Sequence, residues 1–248
     1  MASATHAAIA RRKPAFTGRK GLVDRYFYLF ASLLFAAIVV WGFSKTVNQN
    51  LFHASPPRPL LLWFHGAAFS SWVLFYIFQS ALVRTHNVKL HRSIGWFGAG
   101  LAAVMVVLGF AIAVIMARFD WYTLHLTGTD VFLSVPWGDM FEFGPLVALA
   151  ILWRKKPELH RRLLFIATCC LLDAPFGRSD FLFDHNLYYA CVDVVILLGV
   201  VRDLLVDRSV HRVYRVALPV LIVWQAFLIY LYRGAPAWWH TLTSRIVA

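Results

Sequence analysis

The segment SIGWFGAGLAAVMVVLGFAIAVIMA, residues Ser93–Ala117, runs for 25 residues without a charged side chain. Crossing a hydrocarbon core of about 30 Å takes about 20 apolar helical residues, so this stretch reads as a membrane span. Gly95, Gly98, Gly100 and Gly109, with Ala99, Ala102 and Ala103, let neighbouring helices approach closely. The span is therefore expected at the packed centre of a bundle. On either side, apolar runs recur at Tyr26–Phe43, Leu60–Val83, Met140–Trp153, Leu163–Phe176, Leu187–Val201 and Val216–Tyr232. The expected fold is all-α, a polytopic transmembrane bundle of seven helices. Composition agrees: of 248 residues 60% are hydrophobic and 15% charged, with a mean hydropathy of +0.65, where soluble domains are about a quarter charged.

The net charge of +12 is not distributed like a nucleic-acid footprint. Of 24 Lys and Arg, 18 fall in the N-terminal tail and in the loops 84–92, 154–162 and 202–215. The alternate segments hold only Lys45, Arg58, Arg118, Arg178, Arg233 and Arg245. The positive-inside rule then places the N-terminus in the cytoplasm and the C-terminus outside. The excess charge reads as attraction to a lipid bilayer, with no nucleic acid as partner. Residues 1–22 are expected to be a mobile cytoplasmic tail and 23–248 a single membrane domain. Trp238 and Trp239 suggest that its C-terminal segment lies at the interface. No small-residue cleavage site follows the basic residues ahead of the first span, which reads as a retained anchor. Cys169, Cys170 and Cys191 lie in apolar spans, where packing is the expected role rather than a disulfide framework.

Three carboxylates, Glu142, Asp173 and Asp193, interrupt these spans. The remaining charges can be assigned to loops or tails. An ionisable group in hydrocarbon is costly unless it faces a partner or water, which makes each a functional candidate. Counted from the nearest cytoplasmic basic residues, the helical rise puts Glu142 at about 18 Å, Asp173 at about 20 Å, Asp193 at about 14 Å and Gln225 at about 15 Å. Four polar groups on successive spans thus share one level. Pro145, Pro175 and Pro219 lie close by, and each removes a backbone donor and frees a carbonyl. His65, Trp72 and Gln79 recur every seven residues and share a helix face, as do Asn186, Tyr189 and Asp193. These two stripes suggest a hydrated way in from the outer surface. Glu142, Asp173 and Asp193 are expected to bind or exchange a proton or cation, with Gln225 as a neutral ligand. His65 and Arg178 are the expected counter-charges. His65, Glu142, Asp173 and Asp193 together also form a donor set that suits a divalent metal.

A second motif opens three helices: Leu90-His91-Arg92, Leu159-His160-Arg161 and Val210-His211-Arg212. It suggests three tandem helical hairpins with the first span as an addition. One account is orientation, with Arg and His snorkelling towards lipid phosphates. The other is redox: His91 and His160 as axial ligands of haem b, with Arg92 and Arg161 near its propionates, or a quinone lodged among the aromatic residues. A third class of function is a non-catalytic partner in a membrane complex, or a homo-oligomer. Paired Glu-x-x-His motifs, His-Glu-x-x-His, Gly-x-Ser-x-Gly and Walker-type loops are all absent from the sequence.

The stretches Phe64-His65-Gly66, Trp72, Gln79, Leu90-His91-Arg92 and Gly95-Trp96 resemble uncharacterised bacterial multi-pass membrane proteins. So does the run Pro157-Glu158-Leu159-His160-Arg161-Arg162. These proteins form a seven-span family with repeated Leu-His-Arg helix starts. The resemblance implies a bacterial inner-membrane location and carries no assigned activity.

Overall fold

A computed structural model describes residues 19–248, with side chains from Gly21 onward, so most of the expected 1–22 tail lies outside the described residues. The long regular elements are helices: α1 (Arg19–Phe43), α2 (Leu61–Arg84), α3 (Val88–Tyr122), α4 (Ser134–Leu152), α5 (Pro157–Cys170), α6 (Asp173–Phe176), α7 (Asp180–Asp184), α8 (Tyr188–Val206), α9 (Arg212–Gly234) and α10 (Ala237–Val247). Among the described residues five stretches are long and apolar enough to cross a membrane: Gly21–Phe43, Leu61–Arg84, Val88–Tyr122, Val131–Leu152 and Arg212–Gly234. The chain is an integral, multi-pass, all-α membrane protein.

The expectation of seven spans is overturned for identifiable reasons. The fifth expected span breaks in the middle. Pro175 has no N–H to offer the carbonyl of Leu171, and its ring would collide with that carbonyl in a continuous helix. The chain responds by tightening: Leu171 N–H donates to Thr168 O at 3.3 Å and Leu172 N–H to Cys169 O at 2.9 Å. α5 therefore stops after 14 residues and the four-residue α6 restarts at Asp173. The sixth expected span, now α8, carries Asp193, Arg202 and Asp203 within 19 residues, too many charges for a span. The loop alternation that assigned the N-terminus inside and the C-terminus outside counted on seven spans, and it falls with them. So does the scheme of tandem hairpins.

The centre of the bundle is α4 rather than the glycine-rich α3. α4 packs against α3, α5 and α9, and 44% of its apolar window is buried against 28% for that of α3. Small residues in α3 still serve close approach, Gly98 receiving the Phe75 ring and Gly109 the Met140 thioether. α1 lies against α2 and reaches the break between α5 and α6, where Gly42 abuts the backbone of Pro175. α10 closes one end of the bundle. Trp239 Nε1 donates to Val131 O at 3.0 Å, Thr243 Oγ1 to Asp130 Oδ2 at 2.9 Å and Tyr122 OH to Ala248 O at 2.9 Å.

An ion-pair network joins α1, α5 and α8 at the other end. Arg162 grips Asp203 with two bonds of 2.6 and 3.0 Å, and its Nη1 donates to Glu158 at 2.6 Å. Arg202 reaches Asp203 and Asp207 at 2.8 Å each and also pairs with Asp24 of α1. Both guanidinium groups and Asp203 are fully buried. The 154–162 and 202–215 segments, expected to be loops, thus supply an electrostatic clasp in which Arg162, Arg202 and Asp203 are buried and Asp24, Glu158 and Asp207 stay partly exposed. His211 caps α9, accepting from Val213 N–H at 3.2 Å. Burial, then the nearby Arg162, lowers its pKa, which favours the neutral ring that can accept this bond. The third His-Arg motif is therefore a helix cap and differs from the other two.

Two stability predictions follow from this packing. Asp203→Asn removes the one fully buried carboxylate that both arginines share, leaves them the partly exposed Asp24, Glu158 and Asp207, and should lower unfolding free energy by about 1–3 kcal/mol, measured by denaturant titration in detergent. A loss below about 1 kcal/mol, the value of an exposed pair, would show that the clasp contributes little. Gly42→Ala meets rigid backbone and should cost about 1–3 kcal/mol. Gly109→Ala meets a flexible methionine and should cost less, so a reversed order in the same assay would refute this packing.

Candidate functional site

α4 carries Asp139 and Glu142 three residues apart, hence on one face. Both are buried, at 6% and 4% exposure. The break after α5 sets Asp173 at the start of α6, 3% exposed, against this same face of α4. Asp139 and Asp173 come within hydrogen-bonding reach of each other. Tyr189 of α8 donates its hydroxyl to Asp139 Oδ1 at 3.2 Å. The centre of the site is thus a pair of carboxyl groups from two helices, steadied by a phenol from a third.

Glu142 extends the pair. Neither of its oxygens receives a hydrogen bond of ordinary geometry, although the Cys170 thiol and the Gln225 carboxamide are its nearest polar neighbours. Gln225 of α9 is 2% exposed, and both of its polar atoms lack a partner. Asp193 of α8 is half-buried with Oδ1 unpartnered, close enough to Glu142 to repel it. Burying such groups unsatisfied costs about 1–3 kcal/mol each. Among the described residues no Lys, Arg or His forms an ion pair with Asp139, Glu142, Asp173 or Asp193.

Of the expected counter-charges, Arg178 lies close enough to Asp173 for the two to attract each other, without forming an ion pair with it. His65 lies near Arg178, stacks on Phe69 with ring centroids 4.1 Å apart and has its Nδ1 buried without a partner. The Arg178 guanidinium lies over the Phe43 ring, 5.3 Å from its centroid. Among the described residues no group of three or more His, Cys, Asp or Glu is placed to hold a metal ion. Of the residues of the expected hydrated way in, Asn186 stands outside α8, sits in a left-handed turn and accepts from Arg233 Nε at 2.8 Å. Trp72 turns inward and donates to Thr168 Oγ1 at 3.3 Å, while Gln79 is buried with no partner for either polar atom.

Asp139 is the residue that sequence reasoning missed. It stands just ahead of the apolar run Met140–Trp153, whereas α4 begins at Ser134. Its three-residue spacing to Glu142 was the available signal. His91 and His160 do come together, with ring centroids 6.3 Å apart. Arg161, expected near haem propionates, instead bonds Glu158 at 2.6 Å and covers the Tyr28 ring at 5.4 Å.

No protein-family model, curated protein or solved structure matches the chain. The resemblance to a seven-span inner-membrane family is thereby overturned, and no family is assigned. Short His-Arg helix starts are a weak marker, since basic residues collect at membrane surfaces for orientation alone.

The phenol–carboxyl contact can be isolated. A double-mutant cycle of Tyr189→Phe with Asp139→Ala should give a coupling energy of about 0.5–3 kcal/mol in denaturant titrations. Strict additivity would show that the two groups do not interact.

Proposed function

We propose that the protein binds and exchanges protons within the membrane at the cluster of Asp139, Glu142 and Asp173, with Asp193 and Gln225 at its edge. One observation carries the reading: carboxyl groups from α4 and α6 lie side by side in a buried interior, and among the described residues no Lys, Arg or His forms an ion pair with them. Two ionised carboxylates repel at this range, and both would be desolvated. A proton held between Asp139 and Asp173 turns the repulsion into a hydrogen bond, and one charge is then shared by the pair. Tyr189 orients the Asp139 end of that bond. Glu142 and then Asp193 offer the next oxygens to a moving proton. Arg178 lies near Asp173, where its positive charge would discourage cations and favour net neutral exchange.

Protons are favoured over a metal ion because the carboxyl groups, His65 and the cysteines do not converge on one point. Such a site is useful in a membrane that sustains a proton gradient, of which a bacterial inner membrane is one example.

The test is to count protons. Purified protein in unbuffered detergent solution is titrated from alkaline to mildly acidic pH, alongside Asp139→Asn, Glu142→Gln and Asp173→Asn. The wild-type chain should take up more protons than each variant over this range, and sodium, potassium or calcium should leave its curve unchanged. Superimposable curves for wild type and all three variants would refute the proposal.

A further inference from the structure

We propose that His91 and His160 form a bis-imidazole site for a first-row transition-metal centre, separate from the carboxyl cluster. His91 lies in the first turn of α3 and His160 in the first turn of α5. Two helices distant in sequence therefore present imidazoles from matching positions. Their ring centroids are 6.3 Å apart, with planes at 79°. Metal–imidazole bonds of about 2 Å on opposite sides of one ion set ring centroids roughly 6 Å apart.

The hydrogen bonding around the rings adds an independent argument. His160 Nδ1 lies 2.8 Å from the Ala150 carbonyl oxygen. A carbonyl can only accept, so Nδ1 carries the hydrogen and Nε2 keeps its lone pair. This is the second-shell contact by which proteins fix the tautomer of a ligating histidine. His91 leans on the backbone of Gln79, and its Nδ1 is buried without a partner. The Gln79 carboxamide is 9% exposed and equally unpartnered. Leaving His91 Nδ1 unsatisfied is unfavourable, and a metal bond to that nitrogen relieves it.

The donor set narrows the ligand class. Imidazole suits iron, copper and zinc, and among the described residues no third His, Cys, Asp or Glu joins the pair. The other ligands of the metal must then be non-protein. Iron held by four porphyrin nitrogens needs two axial donors, and a cuprous ion can be satisfied by two. Both share bis-imidazole ligation.

The full chain is expressed with added iron and haem precursor, purified in detergent, and examined by absorption spectroscopy and metal analysis. A second, haem-free preparation is titrated with cuprous ion. The expected result is a Soret band with bound iron in the first arm, or saturable copper binding in the second. Either should fall roughly tenfold or more in His91→Ala and in His160→Ala, with unchanged gel-filtration profiles. Should the alanine variants fail to fold, His91→Met replaces one ligand with another and should shift the spectrum or the copper affinity. A wild-type chain that takes up neither metal overturns the site. So does loading that is unchanged by all three substitutions. The proton count of the carboxyl cluster is untouched by these variants, so each proposal can fail alone.

Discussion

An ionised group taken out of water needs an opposite charge, a full set of hydrogen bonds or a proton. The bundle answers that requirement in two ways. At the clasp, Arg162 and Arg202 converge on Asp203, with Asp24, Glu158 and Asp207 completing the set. Charge there is matched by charge, and α1, α5 and α8 are pinned together. At the candidate site, Asp139, Glu142 and Asp173 are buried too, yet among the described residues no arginine or lysine forms an ion pair with them. The contrast within one molecule is what supports the proposal of a proton site at the second.

The site depends on the break between α5 and α6. Without Pro175 the helix begun at Pro157 could run on, and Asp173 would project from a different turn. With it, Leu171 and Leu172 form tight turns and Asp173 restarts the chain facing α4. Gly42 of α1 allows the close approach that fills the far side of the break. α4 is then the common wall: its one face bears Asp139 and Glu142, while α5, α8 and α9 bring Cys170, Tyr189 and Gln225 to that wall.

Much of this was legible in the sequence, within physical limits. Apolar runs such as Ser93–Ala117 announce membrane helices because length and polarity alone decide that matter. The rise per residue brought Glu142, Asp173 and Gln225 to one level, and the structure does gather them. Periodicity could not show that α5 ends at Cys170, because Leu163–Phe176 is apolar apart from Thr168 and Asp173 and its break follows from a steric clash. Asp139 was hidden by the aromatic and glycine residues before it, which resemble an interfacial loop. Arg162 and Arg202 looked like surface charges, since a count of basic residues cannot reveal which of them find carboxylates across a helix interface. His91 and His160 were legible as a pair by their shared position, and His211 differed only in standing one residue outside its helix.

The central claim is that the buried carboxyl cluster holds a proton in place of a paired cation. Infrared difference spectroscopy of the protein in lipid nanodiscs observes this directly, through the carbonyl stretch that only a protonated carboxyl group shows. The account predicts such a band in the wild-type protein, shifted by deuterium exchange and altered in Asp139→Asn and Glu142→Gln. A wild-type spectrum with ionised carboxylate bands alone, unchanged by either substitution, would contradict it.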